Sequence, residues 1–313
     1  MNPKPILSLV IPCFNEEEAL PVFYETAEQE LEVLRSRYEI EYIFIDDGSK
    51  DATLAGMRNL AEKDKSVHYI SFSRNFGKEA ALYAGLERSS GDITVTLDVD
   101  LQDPPSLIPE MVNAVTQEGF DCAGSRRVTR KGEPPVRSFF ARRFYRLINR
   151  LSDVEIVDGA RDFRCMNREY LNAVLSLKER NRFSKGIFPW VGFKTKWFEY
   201  ENRERSVGET KWSFFKLLLY SLDGIAAFST KPLAAASVCG FFFSFSSLLL
   251  ILFIVVRKIL FGGSSVDGWA SLVCTVLFMG GLQLLTIGLL GQYVAKIYIE
   301  VKQRPLFVIK EQK

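Results

Sequence analysis

The sequence predicts an α/β fold: a mostly parallel sheet with flanking helices, followed by interfacial amphipathic helices and two transmembrane helices. Three observations predict it. Short apolar runs alternate with helical segments of about 10 to 20 residues as far as Leu97. Each run ends in a cluster of polar residues. Two later stretches, 233–256 and 268–295, carry no charge at all.

The first run, 7–11, ends in Pro12-Cys13-Phe14-Asn15-Glu16, and an acidic helical segment follows to about Arg37. The second, 42–45, ends in Asp46-Asp47-Gly48-Ser49-Lys50-Asp51, where Ser49 or Asp51 can cap the next helix. The third, 67–72, ends in Ser73-Arg74-Asn75-Phe76-Gly77-Lys78, with a helix after it to about Arg88. The fourth, 93–97, ends in Asp98-Val99-Asp100-Leu101-Gln102-Asp103, and Pro104-Pro105 then stop the strand and start a helix. Open sheets of this kind bind ligands beyond the carboxyl ends of their strands. All four polar clusters fall there, which says more than any one cluster does.

Each cluster also has a purely structural explanation. Asp46 and Asp47 suit a turn and helix cap as well as contacts to a base or ribose. Arg74 to Lys78 suit an ordinary helix start as well as an approach to phosphate. Glu16 suits a first-turn dipole partner. The fourth cluster is the most distinctive. On extended backbone Asp98, Asp100 and Gln102, spaced i, i+2 and i+4, would share one side of the strand. Oxygen ligands grouped in this way suit a hard divalent cation, Mg²⁺ or Mn²⁺, shared with substrate phosphates.

Beyond Gly124 the sequence turns basic. Arg126, Arg127, Arg130, Lys131, Arg137, Arg142, Arg143, Arg146 and Arg150 interleave with aromatic and aliphatic residues. Residues 137–150 read as a basic amphipathic helix. Beside membrane spans, such a helix suits a lipid surface rather than nucleic acid. Arg161-Asp162-Phe163-Arg164 sets one acid between arginines, and Arg182, Lys185, Arg205 and Lys211 add cations.

The chain has 313 residues, 47% of them hydrophobic, and a formal net charge of +2. Its single histidine, His68, nearly excludes histidine triads and zinc sites. The five cysteines lack C-x-x-C spacing and read as reduced. Each uncharged stretch exceeds the roughly 20 residues a membrane span needs. Basic residues flank the pair, whereas the link between them holds only Arg257 and Lys258. Both termini are therefore expected on the cytoplasmic side. The expected organisation is a catalytic domain over 1–210, a juxtamembrane amphipathic helix over 211–231 and spans over 232–257 and 268–295. An external loop covers 258–267, and a basic cytoplasmic tail covers 296–313.

Taken together, Pro12 to Glu16, Asp46 to Ser49, Ser73 to Lys78, Asp98 to Pro104, Gly124 to Arg126, Arg161 to Arg164, Arg182 to Gly186 and Arg205 to Lys211 resemble a known family. It is the family 2 glycosyltransferases, in particular the polyisoprenyl-phosphate type that glycosylates undecaprenyl (bactoprenol) phosphate and is related to dolichyl-phosphate mannose synthase. The resemblance runs along nearly the whole chain. Phe14 stands where tyrosine is common, and Val99 where alanine is common.

The resemblance implies a GT-A (Rossmann-like) fold and a set of roles. Pro12, Phe14, Glu16, one of Asp46 or Asp47, and Lys78 would hold the nucleotide-sugar. Asp98 would sit by the sugar diphosphate, with Asp100 and Gln102 holding the metal. Arg126, Arg137, Arg164, Arg205 and Lys211 would meet diphosphate or acceptor phosphate, and Asp162 would orient the sugar. The implied reaction is inverting transfer of one sugar from a UDP-sugar, glucose first and N-acetylglucosamine next, to undecaprenyl phosphate at the cytoplasmic face. The implied partners are the nucleotide-sugar, the polyprenyl phosphate and the bilayer, with room for a homo-oligomer and a membrane flippase. A processive polysaccharide synthase is the first alternative. No Q-x-x-R-W motif is present, and two spans are few for a translocating channel. A non-catalytic membrane scaffold is the second alternative.

Overall fold

A computed structural model describes residues 3–127, 149, 157–200, 229–261 and 269–313. Strands β1 (Ile6–Cys13), β2 (Glu39–Asp46), β3 (Val67–Phe72) and β4 (Ile93–Thr96) run parallel in the spatial order β3-β2-β1-β4. The chain steps outward from β1 to β3, then returns to the other side of β1. The switch point therefore lies between β1 and β4, where a ligand crevice forms in such sheets.

These strands are mostly apolar because helices cover both faces. On one face α1 (Ala19–Arg35), α2 (Thr53–Lys63) and α4 (Ile108–Thr116) pack Phe23, Met57 and Met111 onto Leu7, Leu9 and Phe44. On the other, α3 (Lys78–Arg88), α5 (Arg168–Ser176) and α6 (Ser184–Trp190) pack Leu82, Tyr170 and Phe188 over Val10, Ile43 and Ile45.

With β5 (Cys122–Arg127), β6 (Ala160–Asn167), β7 (Thr195–Tyr200) and β8 (Ile309–Gln312) the sheet has eight strands in the order β7-β5-β6-β4-β1-β2-β3-β8. Strands β6 and β8 run against the others. The reversal of β6 matters for function. Its first residues, not its last, lie at the edge where the carboxyl ends of β1 and β4 lie.

Three expectations need correction. The fourth strand ends at Thr96, so Asp98 to Asp103 occupy a turn rather than extended backbone. Leu101 there adopts φ 55°, in the left-handed region, which ends the alternation of sides on which the one-face argument for Asp98, Asp100 and Gln102 rests. The tail over 296–313 is not an independent basic extension. Helix continues to Lys302, and the chain then returns to the catalytic sheet as β8. The predicted spans fall in α7 (Lys231–Phe261) and α8 (Trp269–Lys302), both longer than expected. Among the described residues one stretch, Leu272–Lys302, is long and apolar enough to cross a membrane. The helix over 137–150, apart from Asn149, and the juxtamembrane helix as far as 228 lie outside the described residues.

Candidate active site

The site begins with the loops that support it. The β1–α1 and β2–α2 loops are laced together. The Asn15 N–H donates to Ser49 Oγ at 3.0 Å, the Glu16 N–H to Thr53 Oγ1 at 2.8 Å, and the Lys50 N–H to Asn15 Oδ1 at 2.9 Å. Pro12 lies within β1 and Phe14 is exposed just beyond it.

Asp46 and Asp47 are both buried, and both have internal work. Asp46 accepts from the Ser49 N–H at 2.8 Å and from Ser71 Oγ at 2.7 Å. Asp47 accepts from the Phe76 N–H at 2.6 Å and the Gly77 N–H at 2.9 Å. Gly48, at φ 70°, lets the β2 turn approach the β3 loop, because a Cβ there would lie 2.4 Å from the Arg74 carbonyl carbon. Asp47 thus fixes the loop that ends at Lys78, the first residue of α3.

From there Lys78 reaches across to β4 and β6. Its Nζ lies 2.7 Å from Asp98 Oδ1 and 2.8 Å from Asp162 Oδ2. The antiparallel register explains why the two acids meet. Thr96 pairs with Arg164, so two residues further Asp98 comes opposite Asp162. Two facing carboxylates repel one another, and the ammonium between them cancels that repulsion. Burial works against the Lys78 charge, but Asp162 and Asp98 outweigh it and raise its pKa. Burial would likewise raise the Asp162 carboxyl. Lys78, then Lys185, reverse this and hold it well below the usual carboxylate range. Asp162 is therefore a standing anion and not a proton acceptor near neutral pH.

A second cation extends the network. Arg161 Nε donates to Asp103 Oδ1 at 3.1 Å, and its guanidinium lies 4.0 Å from Asp98 and 3.5 Å from Gln102 Oε1. Burial disfavours the charge on Arg161, but Asp103 and Asp98 more than restore it. Asp103 is buried and also accepts from the Tyr200 hydroxyl. Burial pushes the Asp103 carboxyl up, offset only in part by Arg161 and Tyr200.

Among the described residues no three His, Cys, Asp or Glu groups converge as a metal cage. Asp98 and Asp100 nonetheless lie on one acidic turn with carboxylate oxygens, and Asp100 Oδ1 accepts from the Gln102 N–H at 3.2 Å. Two carboxylates fit a Mg²⁺ or Mn²⁺ that draws its other ligands from water and a diphosphate, the way Mg²⁺ is usually held. Gln102 turns its carboxamide oxygen toward Arg161 instead.

Other predicted residues lie elsewhere. Arg164, on the same side of β6 as Asp162, is 2% exposed and enclosed by Phe188 and Trp197, with ring centroids 4.6 and 4.9 Å from its guanidinium carbon. It does not join the acidic cluster. Arg126 pairs with Glu199, its Nε 2.9 Å from Oε1, at the same edge of the sheet. Arg137, Arg205 and Lys211 lie outside the described residues. Arg161, Asp103, Tyr200 and Lys185 had no role assigned from sequence. The signal in the sequence that marks Asp103 is an acid that closes the acidic turn directly before Pro104-Pro105.

The fold and this edge define a class: a Rossmann-like mixed sheet of the GT-A type, with an acidic turn at its switch point. The chain belongs to glycosyl transferase family 2, whose profile matches residues 8–175. It is 44% identical over 305 residues to the SfII prophage-derived bactoprenol glucosyl transferase of Shigella flexneri, covering 97% of each chain. It is 43% identical over 307 residues to a prophage bactoprenol glucosyl transferase homolog of Escherichia coli (strain K12), covering 98% of this chain and 99% of that one. Among solved structures it is similar to a glucosyl-3-phosphoglycerate synthase from Mycobacterium tuberculosis, crystallised with Mn²⁺, UDP-glucose and phosphoglyceric acid. There the identity is 23% and the TM-score 0.46, over 71% of this chain and 78% of the other.

Proposed function

We propose that this glycosyltransferase moves one sugar, with inversion, from a UDP-sugar to undecaprenyl phosphate on the cytoplasmic face of the membrane. UDP-glucose is the favoured donor and UDP-N-acetylglucosamine the next. The product is a lipid-phosphate-linked sugar for cell-surface glycan modification. The observation that carries this is the 44% identity over 97% of both chains to a relative named as a bactoprenol glucosyl transferase, because it extends through the catalytic sheet and both long helices. In the proposed arrangement α7 and α8 both span the bilayer, with both termini cytoplasmic.

The chemistry suits the residues. A phosphate monoester is already anionic near neutral pH, so its oxygen can attack the anomeric carbon without a strong general base. The bond from that carbon to the UDP oxygen breaks, and UDP leaves with the electron pair. The obstacle is the meeting of two anions. A divalent cation held by Asp98 and Asp100 would stabilise the leaving diphosphate. Lys78 and Arg161 keep the surrounding carboxylates screened, and Lys185, whose charge also holds the Asp162 carboxyl down, offers a further positive charge to the acceptor side. Asp162, held as an anion, orients the sugar or its cations. Pro12, Phe14 and Glu16 line the nucleotide side, and Asp47 shapes the loop to Lys78.

The test uses purified full-length protein in detergent, undecaprenyl phosphate, Mn²⁺ or Mg²⁺ and a panel of labelled UDP- and GDP-sugars. Transfer of label from one UDP-sugar into the organic phase supports the proposal and names the sugar. Folded, nucleotide-binding protein that moves no label from any donor overturns it. Label in a water-soluble polymer instead points to a processive synthase.

A further inference from the structure

The C-terminal end of α8 is joined to the catalytic domain at the loop that leads to the active site. Glu300 lies in the last turn of α8, where the negative end of the helix dipole disfavours an acid. It is half-buried, and its Oε1 accepts from the Arg180 N–H at 2.6 Å and the Asn181 N–H at 3.1 Å. Arg180 Nε donates in turn to the Arg304 carbonyl oxygen. These contacts hold the loop between α5 and α6 at two successive peptide groups.

The same loop is held at its other end by α3. The Ser184 N–H donates to Glu79 Oε1 at 3.0 Å, and Arg182 stacks on Tyr83, its guanidinium carbon 4.5 Å from the ring centroid. Glu79 directly follows Lys78, whose ammonium joins Asp98 and Asp162. Lys185 directly follows Ser184 and acts on Asp162. Beyond Glu300 the chain is pinned again. Phe307 stacks on Phe72 at 4.9 Å, and the Ser73 N–H donates to the Val308 carbonyl oxygen at 2.9 Å.

We propose that Glu300 is a positioning residue: it ties the end of the apolar helix α8 to the 180–185 loop and thereby sets Lys185 on the acceptor side of the Asp162 cluster. This rests on the proposed function, in which α8 spans the bilayer and the acceptor is a lipid phosphate. A lipid acceptor presents its phosphate at a height set by the membrane. A strut from the spanning helix to the phosphate-side loop keeps the protein cation at that height. Among the described residues the Glu300 carboxylate contacts Arg180 and Asn181 and not the β1, β2 or β3 loops; the β3 loop meets the chain only further on, where the Ser73 N–H donates to the Val308 carbonyl oxygen.

The test compares Glu300→Ala and Glu300→Gln in the full-length protein. Glu300→Gln gives up the charge but keeps a carboxamide oxygen to accept from both N–H groups, so it stays near wild type. Glu300→Ala should raise the KM for undecaprenyl phosphate about tenfold while the KM for UDP-glucose and the melting temperature stay unchanged. Amide hydrogen exchange over 180–185 should quicken in Glu300→Ala alone. An unchanged acceptor KM, unchanged exchange over 180–185, or a joint rise of both KM values with a lowered melting temperature overturns the proposal. Should wild-type protein transfer nothing to the lipid, the proposed function fails, and the exchange data still decide whether Glu300 holds the loop.

Discussion

Asp98 and Asp162 share one ammonium, with Lys78 Nζ within 2.8 Å of each carboxylate. Two strands and a helix start converge on that single contact. Removing the cation leaves two partly buried acids facing one another, which is costlier than removing either acid. Lys78→Met is expected to lower kcat/KM for sugar transfer by about 100-fold, the effect of losing a charge-assisted contact worth roughly 1.5–3 kcal/mol. Lys78→Arg should recover part of it. Steady-state kinetics on both variants, with circular dichroism to establish folding, checks this.

The same pair has a defined pH signature. The Asp162 carboxyl is held below its ordinary value, so its contribution to stability is full above the unfolded carboxylate pKa and is lost as pH falls through the depressed one. Lys78 is raised, so its contribution is full below the ordinary lysine pKa and is lost only as pH rises through the higher one. Neither group titrates near neutral pH. Asp162→Asn should therefore lower stability at neutral pH and flatten the loss of stability on acidification. Thermal melts of wild type and variant from about pH 2 to about 8 measure both.

Metal removal tests the acidic turn. EDTA should abolish transfer, and Mn²⁺ or Mg²⁺ should restore it. Asp100→Asn should need much higher metal for the same rate, because one of two carboxylates is lost. Metal titrations at fixed donor concentration give that shift directly. A variant with the wild-type metal dependence would remove Asp100 from the metal site.

The parts of this site legible in the sequence are those that local pattern encodes. The strand-end clusters of β1 to β4 follow from apolar runs closed by polar residues, and all four lie at one edge of the sheet. What local pattern does not encode is strand direction and register. In the sequence Arg161 and Asp162 are only an acid set between arginines; that they meet Asp98 follows from β6 running backward, which brings its first residues there. Gln102 reads as a ligand on extended backbone until the left-handed Leu101 turns the chain. Arg164 carries a charge and reads as functional, yet two aromatic rings enclose it. Strand β8, four residues with two charges, has none of the apolar alternation that marks a strand.

That last strand is where a substitution remote from the chemistry should be felt. β8 covers the outer edge of β3, which would otherwise present unpaired backbone groups. Its hold depends on Phe307, partly buried and stacked on Phe72, more than on the Arg58–Glu311 pair, which solvent screens. Phe307→Ala removes a stacked ring and part of an apolar contact, and should destabilise the catalytic sheet by about 1–3 kcal/mol. Glu311→Ala should have a far smaller effect. Melting temperatures of the two variants in detergent rank the contributions. If the exposed pair proved the stronger, the tail would be held by charge, and its attachment would weaken steeply with added salt.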